Sequence, residues 1–135
     1  MTTQKLKGVL DTPTLMAAAL YDGVCRSILS DALSHHIVYI SDDLIADFLT
    51  VSRQESFAPK RSYLQSFLKS YVACARVVQV KEVASSLLPS HYQAVLDAVQ
   101  PDFFVSMQYK ASSMSHAGKT AILSPHDFSL LLNKK

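Results

Sequence analysis

Glycine is scarce in this sequence, and the motifs that depend on it are missing. Only 3 of the 135 residues are glycine, and neither GxxxxGK[ST] nor GxGxxG occurs, which argues against a P-loop or a dinucleotide cofactor. The GxSxG elbow of serine hydrolases and the HExxH pair of zinc proteases are missing as well. The sequence therefore gives no support to a P-loop, a dinucleotide site, a serine-hydrolase elbow or a zinc-protease site.

The two cysteines, Cys25 and Cys74, show no CxxC or Cys/His spacing. Both lie in apolar stretches with helical spacing. We expect small buried hydrophobic residues in a reducing compartment, with a metal or disulfide role as the weaker alternative.

A strong charge of one sign and a long apolar run are also missing. The formal net charge is +2, which by itself does not indicate a nucleic-acid or membrane surface. No stretch reaches the roughly 20 apolar residues of a membrane helix, and no targeting signal is visible at the N-terminus. The protein is therefore predicted to be cytoplasmic, without a membrane partner.

Hydrophobic residues are abundant, at 49% of the chain. This length can bury one substantial core but is too short for two ordinary domains, and no repeat or linker divides it. We therefore predict a single domain over residues 1–135. The polar segment 108–119 is the candidate for a mobile loop.

Short β-branched or aromatic runs alternate with longer stretches of helical spacing, a pattern typical of parallel strands joined by helices. The stripe formed by Leu64, Leu68 and Tyr71 is typical of a core-facing helix. The predicted strands are residues 8–11, 37–41, 76–80, 102–106 and 120–123.

Helix starts are marked by capping residues. Thr12 before Pro13, Ser41 before two acids, and Ser124 before Pro125 are the predicted N-caps. Asp22 and Gly23 are predicted to divide the first helical stretch in two. His35 and His36 close the helix before the second strand, where a cap is favoured over a metal ligand.

Asp11 stands where the first apolar run stops. A buried carboxylate is costly unless it is paired, hydrogen-bonded or metal-bound. Because ligands of open parallel sheets bind beyond the carboxyl ends of the strands, Asp11 either caps a helix or belongs to a site. A magnesium site for phosphate cleavage would need several such carboxylates.

Four segments, taken in order, resemble the PIN family, in the branch of bacterial proteins described as toxin components of toxin-antitoxin pairs. They are VLDTPTLMAAALYDGVCRSILSDAL, IVYISDDLIADFLTV, PDFFVSMQ and ILSPHDFSLLL. The DT after the first strand and the closing ILSPHDF are the local signatures, and the resemblance covers nearly the whole chain. It implies a three-layer α/β/α fold with a central, mostly parallel sheet of about five strands.

The resemblance also implies acidic residues that bind magnesium or manganese and cut single-stranded RNA. Its first acid falls on Asp11 and its second on Asp47, in the helix after strand two. The third and fourth fall on the neutral Ser90 and Gln108, and Pro13 replaces the polar residue that usually follows DT. Losing ligands commonly costs about 10 to 100-fold in metal affinity or activity. Asp97, Asp102 and Asp127 are poorer substitutes.

Three interpretations follow. In the favoured one, the chain is a PIN-like domain with lost or weak nuclease activity that binds RNA or protein, such as an antitoxin-like partner. In the second, Asp11 and Asp47 hold Mg or Mn in an active single-strand endoribonuclease. In the third, the chain is a self-associating scaffold that binds no nucleic acid. The resemblance also suggests a homodimer.

A group of cations in residues 53–81, with tyrosines nearby, could track an RNA backbone. Such charges are more often the solvated side of an amphipathic helix. The candidate RNA-contacting residues are Arg53, Lys60 and Arg61.

Overall fold

The computed structural model describes residues 5–81, 88–107, 116–117 and 120–133. No helix within these ranges is long and apolar enough to cross a membrane. The strands are β1 (Lys7–Leu10), β2 (Ile37–Ser41), β3 (Arg76–Val78), β4 (Phe103–Val105), β5 (His116–Ala117) and β6 (Thr120–Leu123). The helices are α1 (Thr12–Leu20), α2 (Val24–His35), α3 (Asp42–Ser52), α4 (Arg61–Cys74), α5 (Ser90–Val99) and α6 (Pro125–Asn133), with a 3₁₀ helix at Glu55–Lys60.

The strands form one sheet in the order β3-β2-β1-β4-β6-β5. All neighbouring pairs are parallel except β5 with β6. The chain builds outward from β1 through β2 to β3, then returns to the other side of β1 with β4 and β6. The carboxyl ends of β1 and β4 thus meet where the strand order reverses, which is where open α/β sheets bind ligands.

Six helices flank this sheet, so the predicted α/β class and the mostly parallel sheet of about five strands are confirmed. Helix α2 packs against both α1 and α6, and α3 packs against α4. One cluster of buried apolar side chains joins the sheet to the helices. The predicted stripe of α4 lies in it, with Leu64, Leu68 and Tyr71 buried.

The start of α1 differs from the prediction. Strand β1 ends at Leu10, and Asp11 rather than Thr12 is the N-cap, because its side chain accepts a hydrogen bond from the Thr14 N–H at 2.9 Å. Thr12 and Pro13 then occupy the first helical turn, where proline's missing N–H is tolerated. The other predicted caps are confirmed, since the Ser41 and Ser124 hydroxyls accept from backbone N–H groups three residues on.

Three further predictions are corrected. Cys74 is exposed at the end of α4, whereas Cys25 is buried as expected. Strand β3 stops at Val78 instead of residue 80. The segment 108–119 contributes β5, and the rest of it lies outside the described residues.

The two histidines after α2 have different partners. A ring nitrogen of His35 lies 3.2 Å from the Asp31 carbonyl oxygen, as a C-terminal cap would. His36 instead accepts a hydrogen bond from the Leu6 N–H at 3.1 Å, and burial lowers its pKa. An accepting ring nitrogen carries no proton, so His36 ties β1 to the end of α2 as a neutral ring.

Candidate functional site

Asp11 lies at the point where β1 passes into α1, beside the end of β4. Its backbone N–H donates to the Val105 carbonyl at 3.0 Å, which extends the β1–β4 pairing by one residue. Its side chain is fully buried. One carboxylate oxygen accepts from the Thr14 N–H at 2.9 Å and the other from the Ser106 hydroxyl at 2.7 Å. Both oxygens therefore have protein donors.

Burial raises the pKa of Asp11 above its ordinary value of 3.8, although the hydrogen bonds from Ser106 and Thr14 act in the opposite direction. A dry environment disfavours the charged carboxylate, and donors aimed at it favour that form. The pKa is raised overall because the cost of removing the carboxylate from water outweighs the stabilisation by its hydrogen-bond donors.

Asp47 lies on the same edge of the sheet, on α3. Its carboxylate accepts from the Thr12 hydroxyl at 2.5 Å and lies 3.8 Å from the His91 ring nitrogen Nε2. The Thr12 backbone N–H donates to the Tyr92 hydroxyl at 3.0 Å. Thr12, the neighbour of Asp11, thus joins Asp47 to the start of α5.

An open groove of about 580 Å³ lies against Asp47 at this edge, and we call it the edge groove. Most of its lining is apolar. The Asp47 carboxylate, the His91 ring, the Gln54 amide and three residues with hydroxyl groups are the polar part of the described lining. Asp11 does not line it. The lining residues are Thr12, Pro13, Met16, Ala17, Leu20, Tyr21, Asp47, Val51, Gln54, Phe57, His91, Tyr92 and Met107.

The other positions assigned through the resemblance contribute no carboxylate in the described part of the chain. Ser90 is the first residue of α5 and is half-buried. Gln108 lies outside the described residues. Two of the poorer acidic candidates have structural partners: Asp102 accepts from the Lys7 N–H of β1 at 2.9 Å, and Asp97 accepts from the Gln93 amide at 2.8 Å.

The fit of this edge to a divalent metal is poor. Magnesium prefers several oxygen ligands, some of them water. Here one acid is buried with both oxygens hydrogen-bonded, and the other stands on the wall of an apolar groove. Among the residues that the structure describes, no group of three or more His, Cys, Asp or Glu side chains could hold a metal ion.

The predicted RNA-contacting residues lie around the end of α3 and the start of α4. The Arg61 guanidinium donates to the Ser52 and Arg53 carbonyls at 3.4 and 3.0 Å, which satisfies the C-terminus of α3. Arg53 is exposed at that terminus. Lys60 lines a separate cleft with Arg26 and Tyr63.

Sequence reasoning missed His91, the Tyr92 hydroxyl and Ser106 as neighbours of the two acids. Tyr92 has helical spacing with Val95 and Leu96, typical of a core-facing stripe, and its ring is buried, in contact with Phe104. Its hydroxyl reaches Thr12 from 80 residues away in the chain. No local pattern signals such a pairing, because it depends on how α5 packs against the start of α1.

Fold and site together define a three-layer α/β domain with an apolar groove at the carboxyl edge of its sheet. Comparison with protein-family models, with curated proteins and with solved structures found no match.

Proposed function

We propose that this chain is a PIN-like domain with lost or weak nuclease activity, which acts as a binding module for a protein partner. The edge groove is the binding site in this proposal. Its occupant is an apolar segment of the partner that carries one basic side chain. By the resemblance, a toxin-derived domain of this kind would pair with an antitoxin-like protein.

The observation that carries the proposal is the state of Asp11. The carboxylate expected to lead a metal centre is fully buried and receives one hydrogen bond on each oxygen. A buried carboxylate held in this way stabilises the start of α1 and is not open to an incoming ion. The acid thus serves the scaffold on which the groove is built.

The size and lining of the edge groove support a binding role. Its volume of about 580 Å³ lies within the range of about 300–1,000 Å³ that is usual for ligand sites. Tyr21 and Met107 are large side chains at its border, 68% and 50% exposed. Methionine adapts to irregular apolar surfaces, and tyrosine is enriched where proteins meet.

Charge complementarity selects the occupant. The Asp47 side chain is 33% exposed and is the one carboxylate among the lining residues. A basic side chain placed there would pair with Asp47, whereas the phosphates of an RNA strand would be repelled by it. We therefore favour protein over RNA as the occupant of the edge groove.

The test is to pan a phage-displayed peptide library on the immobilised protein and to measure the enriched peptides by calorimetry. We expect apolar peptides with one Lys or Arg. Their affinity should fall about tenfold or more in Tyr21→Ala, which removes an exposed aromatic contact, and clearly in Asp47→Asn, which removes the negative charge.

Leu130→Ala is the matched control for Tyr21→Ala, because Leu130 is 52% exposed on α6 and does not line the groove. Equal binding of the peptides by wild type and both groove variants would refute the proposal.

Active single-strand ribonuclease is the second candidate, supported by one observation: Asp11 and Asp47 lie on the same edge of the sheet, joined through Thr12. The test is cleavage of single-stranded RNA with Mg or Mn. Activity that disappears in Asp11→Asn but persists in the exposed-acid control Asp43→Asn would establish the nuclease. No cleavage by the wild type would leave the binding module.

A further inference from the structure

A second cavity of about 430 Å³ lies beside the edge groove and shares Leu20 with it. We call it the basic cleft. Its lining includes two cations, one aromatic ring and three apolar residues, and none of the described lining residues is acidic. Its residues are Ala19, Leu20, Arg26, Pro59, Lys60 and Tyr63.

Arg26 is held in place at this cleft. Its guanidinium donates to the Ala18 and Ala19 carbonyls, each at 3.0 Å, at the C-terminal end of α1. These bonds offset the partial negative charge of that helix end. They also fix the planar group, so less freedom is lost when it binds a ligand than with an unanchored side chain.

Helix ends add to the positive character of the cleft. Arg26 lies in the first turn of α2 and Tyr63 in the first turn of α4, and neither helix has a side-chain cap hydrogen bond at its N-terminus. Helix N-termini favour anions, which reinforces the charges of Arg26 and Lys60. Arg26 also contacts the C-terminal carbonyls of α1, so the attraction of the cleft for an anion rests mainly on the charges of Arg26 and Lys60.

Tyr63 supplies a different kind of contact. Its side chain is 49% exposed, although it lines the cleft. An exposed aromatic ring next to a cationic site can stack on a nucleobase, and such stacking tolerates any base. Leu20 and Pro59 add apolar surface to the lining of the same cleft.

We propose that the basic cleft binds one nucleotide, with its phosphate on Arg26 and Lys60 and its base on Tyr63. The volume of about 430 Å³ lies within the range of about 300–1,000 Å³ for small-ligand sites. The proposal is independent of the partner in the edge groove. The nucleotide is either free or one unit of a single strand, and the experiment separates these sources.

The experiment is calorimetric titration of the full chain with adenosine monophosphate, with inorganic phosphate and with an eight-residue oligouridylate, at low salt. We expect adenosine monophosphate to bind more tightly than phosphate, because only the nucleotide engages Tyr63. Lys60→Glu should weaken nucleotide binding about tenfold or more. Tyr63→Leu should reduce the preference for the nucleotide over phosphate without abolishing phosphate binding.

Lys69→Glu is the matched control, since Lys69 is an exposed residue of α4 outside the cleft. An oligouridylate that binds more tightly than the mononucleotide, and is weakened by the same two variants, would identify the nucleotide as part of a strand. Tighter mononucleotide binding would identify a free ligand. Undetectable binding of all three probes, or equal weakening by Lys69→Glu and Lys60→Glu, would overturn the proposal.

Discussion

At the scale of single residues, Asp11 both holds two segments together and makes the stability depend on pH. It caps α1 through Thr14 and binds the end of β4 through Ser106. Since these partners come from two segments, Asp11 fixes the entry of the first helix onto the sheet. Substitution of Asp11 by asparagine or alanine separates the structural role from the pH dependence.

The pH dependence of stability should change in Asp11→Asn. Burial raises the pKa of the folded carboxyl above the ordinary value of 3.8, which applies to the unfolded chain. At a pH between the unfolded and the folded pKa, the folded protein therefore keeps a proton that the unfolded chain has released. The stability contribution of this proton is full below the unfolded pKa and is lost as the pH rises through the folded pKa. Asparagine does not titrate, so the free energy of unfolding of Asp11→Asn should gain on that of the wild type as the pH rises above 3.8 and through the folded pKa.

Urea unfolding of both proteins across that pH range, followed by circular dichroism, measures the difference. Asp43→Asn controls for loss of an acid, because Asp43 is exposed on α3. Asp11→Ala should be the least stable at every pH, by about 1–3 kcal/mol, since it removes the cap and leaves Ser106 without this partner. Parallel pH curves for wild type and Asp11→Asn would contradict the assignment.

Two buried tyrosines should respond in opposite ways to loss of the hydroxyl. The Tyr92 hydroxyl accepts the Thr12 N–H at 3.0 Å, so Tyr92→Phe should destabilise the protein by about 1–3 kcal/mol through an unpaired buried donor. The Tyr71 hydroxyl is buried with no hydrogen-bond partner within the described ranges. Tyr71→Phe removes a polar group that is costly to bury, so it should be neutral or stabilising by about 1 kcal/mol. Chemical unfolding of both variants measures the two changes. A larger loss of unfolding free energy in Tyr71→Phe than in Tyr92→Phe would contradict the prediction.

At the scale of elements, β1 and β4 pack tightly at Gly8. Gly8 lies opposite Phe103 in the parallel register. A Cβ atom at Gly8 would come within 2.0 Å of the Phe103 ring. That ring is 1% exposed and lies 4.3 Å from the Phe128 ring, so it has little room to move. Glycine is needed here for space.

Gly8→Ala should therefore destabilise the domain by about 1–3 kcal/mol or more. Phe103→Leu in the same chain should recover part of the loss, because it frees volume at the point of overlap. Gly23→Ser is the contrasting variant: a Cβ at Gly23 meets nothing within 4 Å, and serine can cap α2. Thermal unfolding of the three variants tests whether position 8 has room only for glycine. Equal stability of Gly8→Ala and Gly23→Ser would contradict this.

At the scale of the whole molecule, one hydrophobic cluster joins the strands to the helices of both halves of the sheet. A single core makes independent unfolding of either half unfavourable. We therefore expect one cooperative transition, with coincident curves by far-ultraviolet circular dichroism and tyrosine fluorescence. Two separate transitions would indicate that the predicted single domain divides.

The homodimer and the self-associating scaffold remain predictions at this scale. Light scattering with size-exclusion chromatography measures the mass directly. A stable dimer that binds neither the selected peptides nor the nucleotide probes would favour the scaffold over the binding module.

The sequence by itself determined the order and type of the elements other than the short strand β5 and the 3₁₀ helix. Strand and helix signals depend on spacing along the chain, and the caps at Ser41 and Ser124 act within three residues, so these features could be predicted locally. The predicted burial of Cys74 and the predicted ends of β1 and β3 were wrong, because burial and strand ends depend on neighbours that lie far away in the chain.

Only the tertiary structure decided what surrounds the two acids. Asp11 and Ser106 are 95 residues apart, and Thr12 and Asp47 are 35 apart, yet each pair is hydrogen-bonded. The edge groove likewise combines α1, α3 and α5, which meet because parallel strands bring their carboxyl ends to one edge. The resemblance points to the two acids, but the sequence does not contain the packing that buries one and leaves the other on a groove wall.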